Sequence, residues 1–237
     1  MTGPTRESLL VQTFSALADT MVVGYDMVEL LQVLVERSTE VVGARAAGIL
    51  LAGSDARLEV VASTAENSRL IALLELGAGD NPCLEAYVTG QVVAIESLDE
   101  ARSAWPVFAA RAGELGYAAV HAVPMRLRSD TIGALTLFLD HDGRLTDGDA
   151  DAARALADVA TIGILQERAF READLARGQL QRALDTRVVI EQAKGFLAHT
   201  HAVGMDEAFR LLRQTARSQR MHLETVARGV LDGTVEL

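Results

Sequence analysis

Lys194 is the only lysine in a chain whose other 21 basic residues are all arginine. It lies in RVVIEQAKGFLAH, Arg187 to His199, where Arg187, Glu191 and Lys194 recur at i, i+4 and i+7. At 100° per residue that spacing puts the three side chains on one face of a helix. Two chemistries fit. The three form an exposed ion triplet, worth a few tenths of a kcal/mol per pair, or the two cations are offered to an external anion. Gly195 follows immediately and costs up to about 1 kcal/mol in a helix interior, which suggests close approach by another helix or by a nucleic-acid backbone. Further along, Arg210, Arg213, Arg217 and Arg220 fall within about 80° of one another on a helical wheel, with no acid among them. Like charges at this spacing repel. A basic stripe beside an apolar face is what an electrostatic contact with phosphates requires. Arg228 adds one more cation on the exposed side of a final helix, LETVARGVLDG.

These cations are concentrated by position. The chain of 237 residues has a net charge of −11, which at first argues against nucleic acid. Residues 1–186 hold 15 arginines against 27 acidic residues, a balance of −12, whereas residues 187–237 hold six arginines, Lys194 and six acids, a balance of +1. The tail is therefore a separate unit. The lysine count removes whole classes of chemistry. A phosphate-binding Walker loop needs Gly-Lys-Ser/Thr after a strand, and Lys194 has neither context. Receiver, kinase and Schiff-base chemistry lose their lysine from residues 1–186 in the same way. A single cysteine excludes a disulfide framework and a Cys-rich zinc site. No catalytic constellation and no metal site emerges, so a non-enzyme is expected.

Toward the N-terminus, Cys83 and His121 stand as candidate ligand contacts. Cys83 follows Pro82 and should start a helix. An exposed thiol there has a lowered pKa and a buried one is a small hydrophobe. His121 lies on a strand with Ala119, Val123 and Met125 on its own face, either satisfied in a core or facing a ligand.

The elements that position these residues follow from periodicity. Two helices are expected over residues 5–41, with Leu30, Leu34 and Val41 at helical spacing. Strand-like runs AAGILLA and RLEVVAST come next, then a short helical patch (67–76) and the strand QVVAIES. AAVHAVPMRLR and TIGALTLFLD, separated by Ser129-Asp130, predict an antiparallel hairpin, with Pro124 near an edge or a bulge. Helices around at least five strands without regular alternation mean an α+β domain. Leu145 to Leu184 reads as one helix on which Val159, Ile162, Gln166, Ala169, Ala173, Ala176, Leu180 and Ala183 trace a heptad seam, suited to a two-helix contact. Beyond it, Val189, Ile190, Ala193, Phe196 and Leu197, then Ala208, Phe209, Leu212 and Ala216, then Leu223, Val226, Ala227 and Val230 give three apolar faces and a small helical bundle. No signal peptide and no spanning helix are seen, so a soluble, cytoplasmic protein is expected.

NPCLEAYVTGQVVAI, AVHAVPMRLRSDTIGALTLFLD and LTDGDADAARALADVATIGIL together resemble a GAF domain, over residues 26–165. The resemblance implies an antiparallel sheet with flanking helices and a small-molecule pocket. It does not name the ligand, and no cofactor is identified. Cys83 is followed by Leu84, not by the histidine of bilin-binding members, and one cysteine cannot form the resolving disulfide of GAF-fold sulfoxide reductases. LQRALDTRVVIEQAKGFLAH and AFRLLRQTARSQRMHLETVARGVL closely resemble the ANTAR domain of bacterial transcription antiterminators. That implies binding of paired RNA hairpins, as a homodimer, with Arg187, Lys194 and Arg213 at basic positions of the family pattern. The expected organisation is a GAF-like sensory domain (1–165), a connecting long helix and coiled coil (146–186) and a three-helix ANTAR bundle (177–237). The alternative is a small-molecule or redox sensor whose tail contacts protein partners.

Overall fold

A computed structural model describes residues 6–20, 27–53, 55, 57–64, 68–76 and 81–235. The chain divides into two compact units, Met1–Glu167 and Arg168–Leu237.

In the first unit, helices α1 (Arg6–Thr20) and α2 (Met27–Val42) precede strands β1 (Ala46–Ala52) and β2 (Leu58–Ser63). Helices α3 (Ser68–Leu74) and α4 (Pro82–Thr89), strand β3 (Val93–Ile95), helices α5 (Leu98–Ala101) and α6 (Pro106–Glu114), and strands β4 (Ala119–Leu127) and β5 (Asp130–Leu139) follow. The strands form one antiparallel sheet in the order β2-β1-β5-β4-β3. Successive side chains on a strand point to opposite faces, and both faces of this sheet are covered. Ile49, Val123, Met125, Leu135 and Leu137 pack with Leu30, Leu34 and Val35 of α2, and with Ala153, Leu156 and Ala160 of a later helix. Leu50, Val120, Ala122, Ala134 and Phe138 pack the other way, with Leu70, Leu74, Cys83 and Phe108. Burial on both sides explains why β4 and β5 read as continuous apolar runs rather than as clean alternation.

The hairpin turns through Arg128, which has a φ of 57°. β3 pairs with β4 only over Val120–Ala122, so β4 is an edge from Val123 onward. Pro124 sits on that edge, next to a register shift between Met125 and Arg126. Its missing N–H costs little there. Gly133 is required by close approach: a Cβ would collide with the Leu50 carbonyl of β1.

Helix α7 runs from Asp147 to Thr200, 54 residues without interruption. Sequence patterning ends the connecting helix near residue 186 and opens a separate bundle helix at Arg187. The chain makes both from one helix, because no proline lies between them and Gly178 and Gly195 remain helical. The helix stops where Ala202 turns left-handed, at φ 56°, with the Val203 amide donating to the Ala198 carbonyl (3.1 Å) in a Schellman-type closure. The end of α7, α8 (Met205–Ser218) and α9 (Leu223–Leu231) form a three-helix bundle. Its core is Ala193, Leu197, Ala208, Leu212, Ala216, Val226, Ala227 and Val230.

Candidate nucleic-acid interface

The bundle core is small and aliphatic, so each helix turns one narrow face inward and leaves its cations outside. Within the bundle, Thr186 ties α7 to α9 by donating to Glu224 (2.8 Å). That bond, with the one from Arg228, holds the Glu224 carboxyl below its ordinary value.

The seven candidate cations fall into two groups. Lys194 donates to both carboxylate oxygens of Glu191 (2.9 Å each), and its side chain is only 16% exposed. Arg210 is paired with Glu207 through Nε (2.9 Å), and Arg228 with Glu224 (2.9 Å). The internal ion pair weighed for Lys194 is thus present. Arg187, Arg213, Arg217 and Arg220 are exposed and have no carboxylate partner among the described residues.

Four positions differ from the sequence expectation. Arg220 does not complete the α8 stripe, because α8 ends at Ser218 and Arg220 is left-handed, at φ 54°. The Met221 amide reaches back to the Ala216 carbonyl (2.9 Å), so Arg220 fills the post-helical position where glycine is usual. Gly195 meets nothing: a Cβ there would find open space within 4 Å, so it does not serve close packing within the chain. Phe196 is 48% exposed, outside the core that claims its neighbours Ala193 and Leu197.

Phe209 is the fourth difference. Helical spacing puts it on the buried face of α8, yet it is absent from the packed core around Ala208 and Leu212. Two cations lie close to its ring, Lys194 Nζ 5.4 Å and Arg213 Cζ 5.7 Å from the centroid. Cation–π attraction holds both there. Nothing but the boundary position of Phe209 on the helical wheel could have signalled this.

In the first unit, Cys83 and His121 occupy opposite faces of the sheet. Cys83 is fully buried, its Sγ 3.0 Å from Thr136 Oγ1, and burial pushes the thiol up to about 12. Asn81 caps α4 by accepting from the Cys83 amide (2.9 Å). The lowered pKa of an exposed helix-start thiol is therefore not realised, and redox sensing at Cys83 loses its thiolate. His121 is buried beside Val123 on the α2 side, its Nε2 3.4 Å from the Gly143 carbonyl. Burial pulls the imidazole below its ordinary value, against the opposing pull of that carbonyl. No single pocket can use both residues.

Residues 25–165 match the family model of the GAF domain, and residues 178–231 match that of the ANTAR domain. The chain belongs to the GAF family and carries an ANTAR domain. The GAF fold is also similar to the GAF domain of a phosphoenolpyruvate-protein phosphotransferase from Coxiella burnetii, at 16% identity and TM-score 0.57, over 70% of this chain and 96% of that one. The corresponding domain from Acinetobacter aligns at 14% identity and TM-score 0.54, over 71% and 97%. A free methionine-R-sulfoxide reductase from Neisseria meningitidis, in complex with its substrate, aligns at 19% identity and TM-score 0.53, over 69% and 90%. At these identities the likeness concerns the fold alone. Among curated proteins, none matches the chain closely enough to count as a relative. GAF and ANTAR are regulatory domains, and the protein is a regulator with a sensory and an RNA-binding domain. No helix among the described residues is long and apolar enough to cross a membrane.

Proposed function

We propose that this protein is a transcription antitermination regulator whose ANTAR domain binds hairpin RNA and whose GAF domain, on binding a small molecule, governs that contact. The observation that carries the reading is the group of carboxylate-free guanidiniums, Arg213 and Arg217 on α8 with Arg187 and Arg220 beside the same small bundle. In a protein of net charge −11, such a surface is built for phosphate, since guanidinium forks match phosphate oxygens. Lys194 and Arg210 share their charge with neighbouring carboxylates and position the surface more than they bind to it. Arg228 acts in the same way through Glu224.

A homodimer fits an apolar stripe along α7. Phe170, Leu180, Leu184 and Val188 are all exposed there, and most of the expected heptad positions, Ile162, Gln166, Ala169, Ala173, Ala176 and Ala183, are exposed too. Two chains packed along this helix would present two ANTAR domains to two hairpins. The protein acts as a regulator and not as an enzyme in this reading.

The test is a titration of the purified chain with a two-hairpin RNA and with a scrambled control, at several salt concentrations. Hairpin-specific, salt-sensitive binding that falls sharply in a Lys194→Ala/Arg213→Ala double variant is expected. Equal binding to both RNAs, or binding indifferent to the double substitution, would overturn the proposal.

A further inference from the structure

A phenylalanine on an amphipathic helix ordinarily joins the core, since its ring is among the largest apolar surfaces a side chain can bury. Phe209 has a core within reach, formed by Ala208 and Leu212 on its own helix, and stays out of it. Instead the half-buried ring borders an open concavity of about 760 Å³, whose lining residues all lie on α8. Arg210, Arg213 and Arg217 also line the cleft, with Asp206 and Gln214. An apolar ring among three guanidiniums gains nothing from water, so a ligand with both a flat face and negative charge suits it.

An unpaired nucleotide has both properties. Its base offers a π-face to an aromatic ring, and its flanking phosphates take the guanidiniums. Bases inside an A-form duplex are stacked on their neighbours and are closed to such a contact, whereas loop bases are open to it. Resting on the RNA-binding reading above, we propose that Phe209 is the stacking platform for one unpaired loop base of the RNA. Gln214, with an amide donor and acceptor, and Asp206, an acceptor, stand at the cleft where the edge of that base would lie. Lys194, from α7, and Arg213, one turn along α8 itself, lie over the ring and keep it in place.

The experiment uses the full chain with a two-hairpin RNA and with the same hairpins carrying abasic loop positions, for wild type, Phe209→Leu and Phe209→Trp. Unfolding temperatures of the variants confirm that the bundle, whose core excludes this ring, is intact. The expected result is that Phe209→Leu weakens binding to the intact loops by about tenfold or more, the scale of one lost base–aromatic stack. Its salt dependence should not change, because no cation is removed. Phe209→Trp should keep the affinity, and the abasic RNA should not distinguish the three proteins. If Phe209→Leu weakens intact and abasic RNA equally, or leaves both unchanged while wild type still selects hairpins, stacking is overturned and RNA binding stands. If wild type selects no hairpin at all, the RNA reading itself fails.

Discussion

Along α7, Phe170, Leu180, Leu184 and Val188 are exposed by 60%, 64%, 50% and 55%, and on a helical wheel they fall within about 80° of one another. Arg177 shares that arc, and its long stem can run along an apolar seam while its head stays in water. Fully burying a leucine side chain is worth about 1.5–3 kcal/mol. Half of Leu184 is already covered, so a partner helix would contribute about 1 kcal/mol per chain at this position. In a symmetric pair the residue counts twice, and Leu184→Ala should therefore weaken the dimer by about 2 kcal/mol, roughly 30-fold in its dissociation constant. Sedimentation equilibrium over a wide concentration range reads this directly. Leu175 is the control: it is 65% exposed but lies on the other side of the helix, so Leu175→Ala should leave the constant unchanged. A Leu184→Ala dimer as tight as wild type, or a wild-type chain that stays monomeric across the range, would refute the seam.

Arg217→Ala should weaken hairpin binding without regard to loop sequence and lower the slope of log affinity against log salt by about 1, as loss of one phosphate contact requires. Ala202→Gly should stabilise the bundle by about 0.5–1 kcal/mol, because Ala202 holds φ 56° at the end of α7 and glycine adopts that conformation without penalty. Thermal unfolding checks the sign. Cys83 should resist thiol reagents at neutral pH, and its titration should shape the alkaline limb of stability. The thiol is raised from 9.0 to about 12 in the folded state, so above pH 9 the unfolded chain loses the proton first. Folding stability is then complete below pH 9 and falls by up to about 1.4 kcal/mol per pH unit toward 12. Urea unfolding of Cys83→Ser, which has no thiol to titrate, should show a flatter decline.

The sheet was legible because its strands are long apolar runs with turn residues between them, and the β4–β5 hairpin had both signals at once. The bundle was legible from three helical-period faces. The continuity of α7 was not, because a helix stops at a left-handed residue or a proline, and neither Gly178 nor Gly195 takes that conformation here. Arg220 misled for the converse reason: the periodic pattern continues past Ser218, but α8 itself does not. Phe209 lies about 60° from the middle of the arc made by Ala208, Leu212 and Ala216, on the side of Arg213, where a wheel cannot say whether a ring turns inward or outward. Cys83 and His121 were each assessable alone as buried or exposed. Their separation by the sheet depends on strand register, which one-dimensional spacing does not contain.

The solitary lysine gives the protein a built-in chemical reporter. Besides the α-amino group, Lys194 carries the only primary amine in the chain. It stands beside Phe209, with its ammonium held by Glu191 and its side chain 16% exposed. With so little of the side chain exposed, an acylating reagent should reach this position slowly. Any ligand that covers Phe209 should slow it further, since Lys194 stands beside that ring. One mass-resolved label at one residue would then follow occupancy of the proposed interface in the unaltered protein, with no probe introduced and no residue replaced.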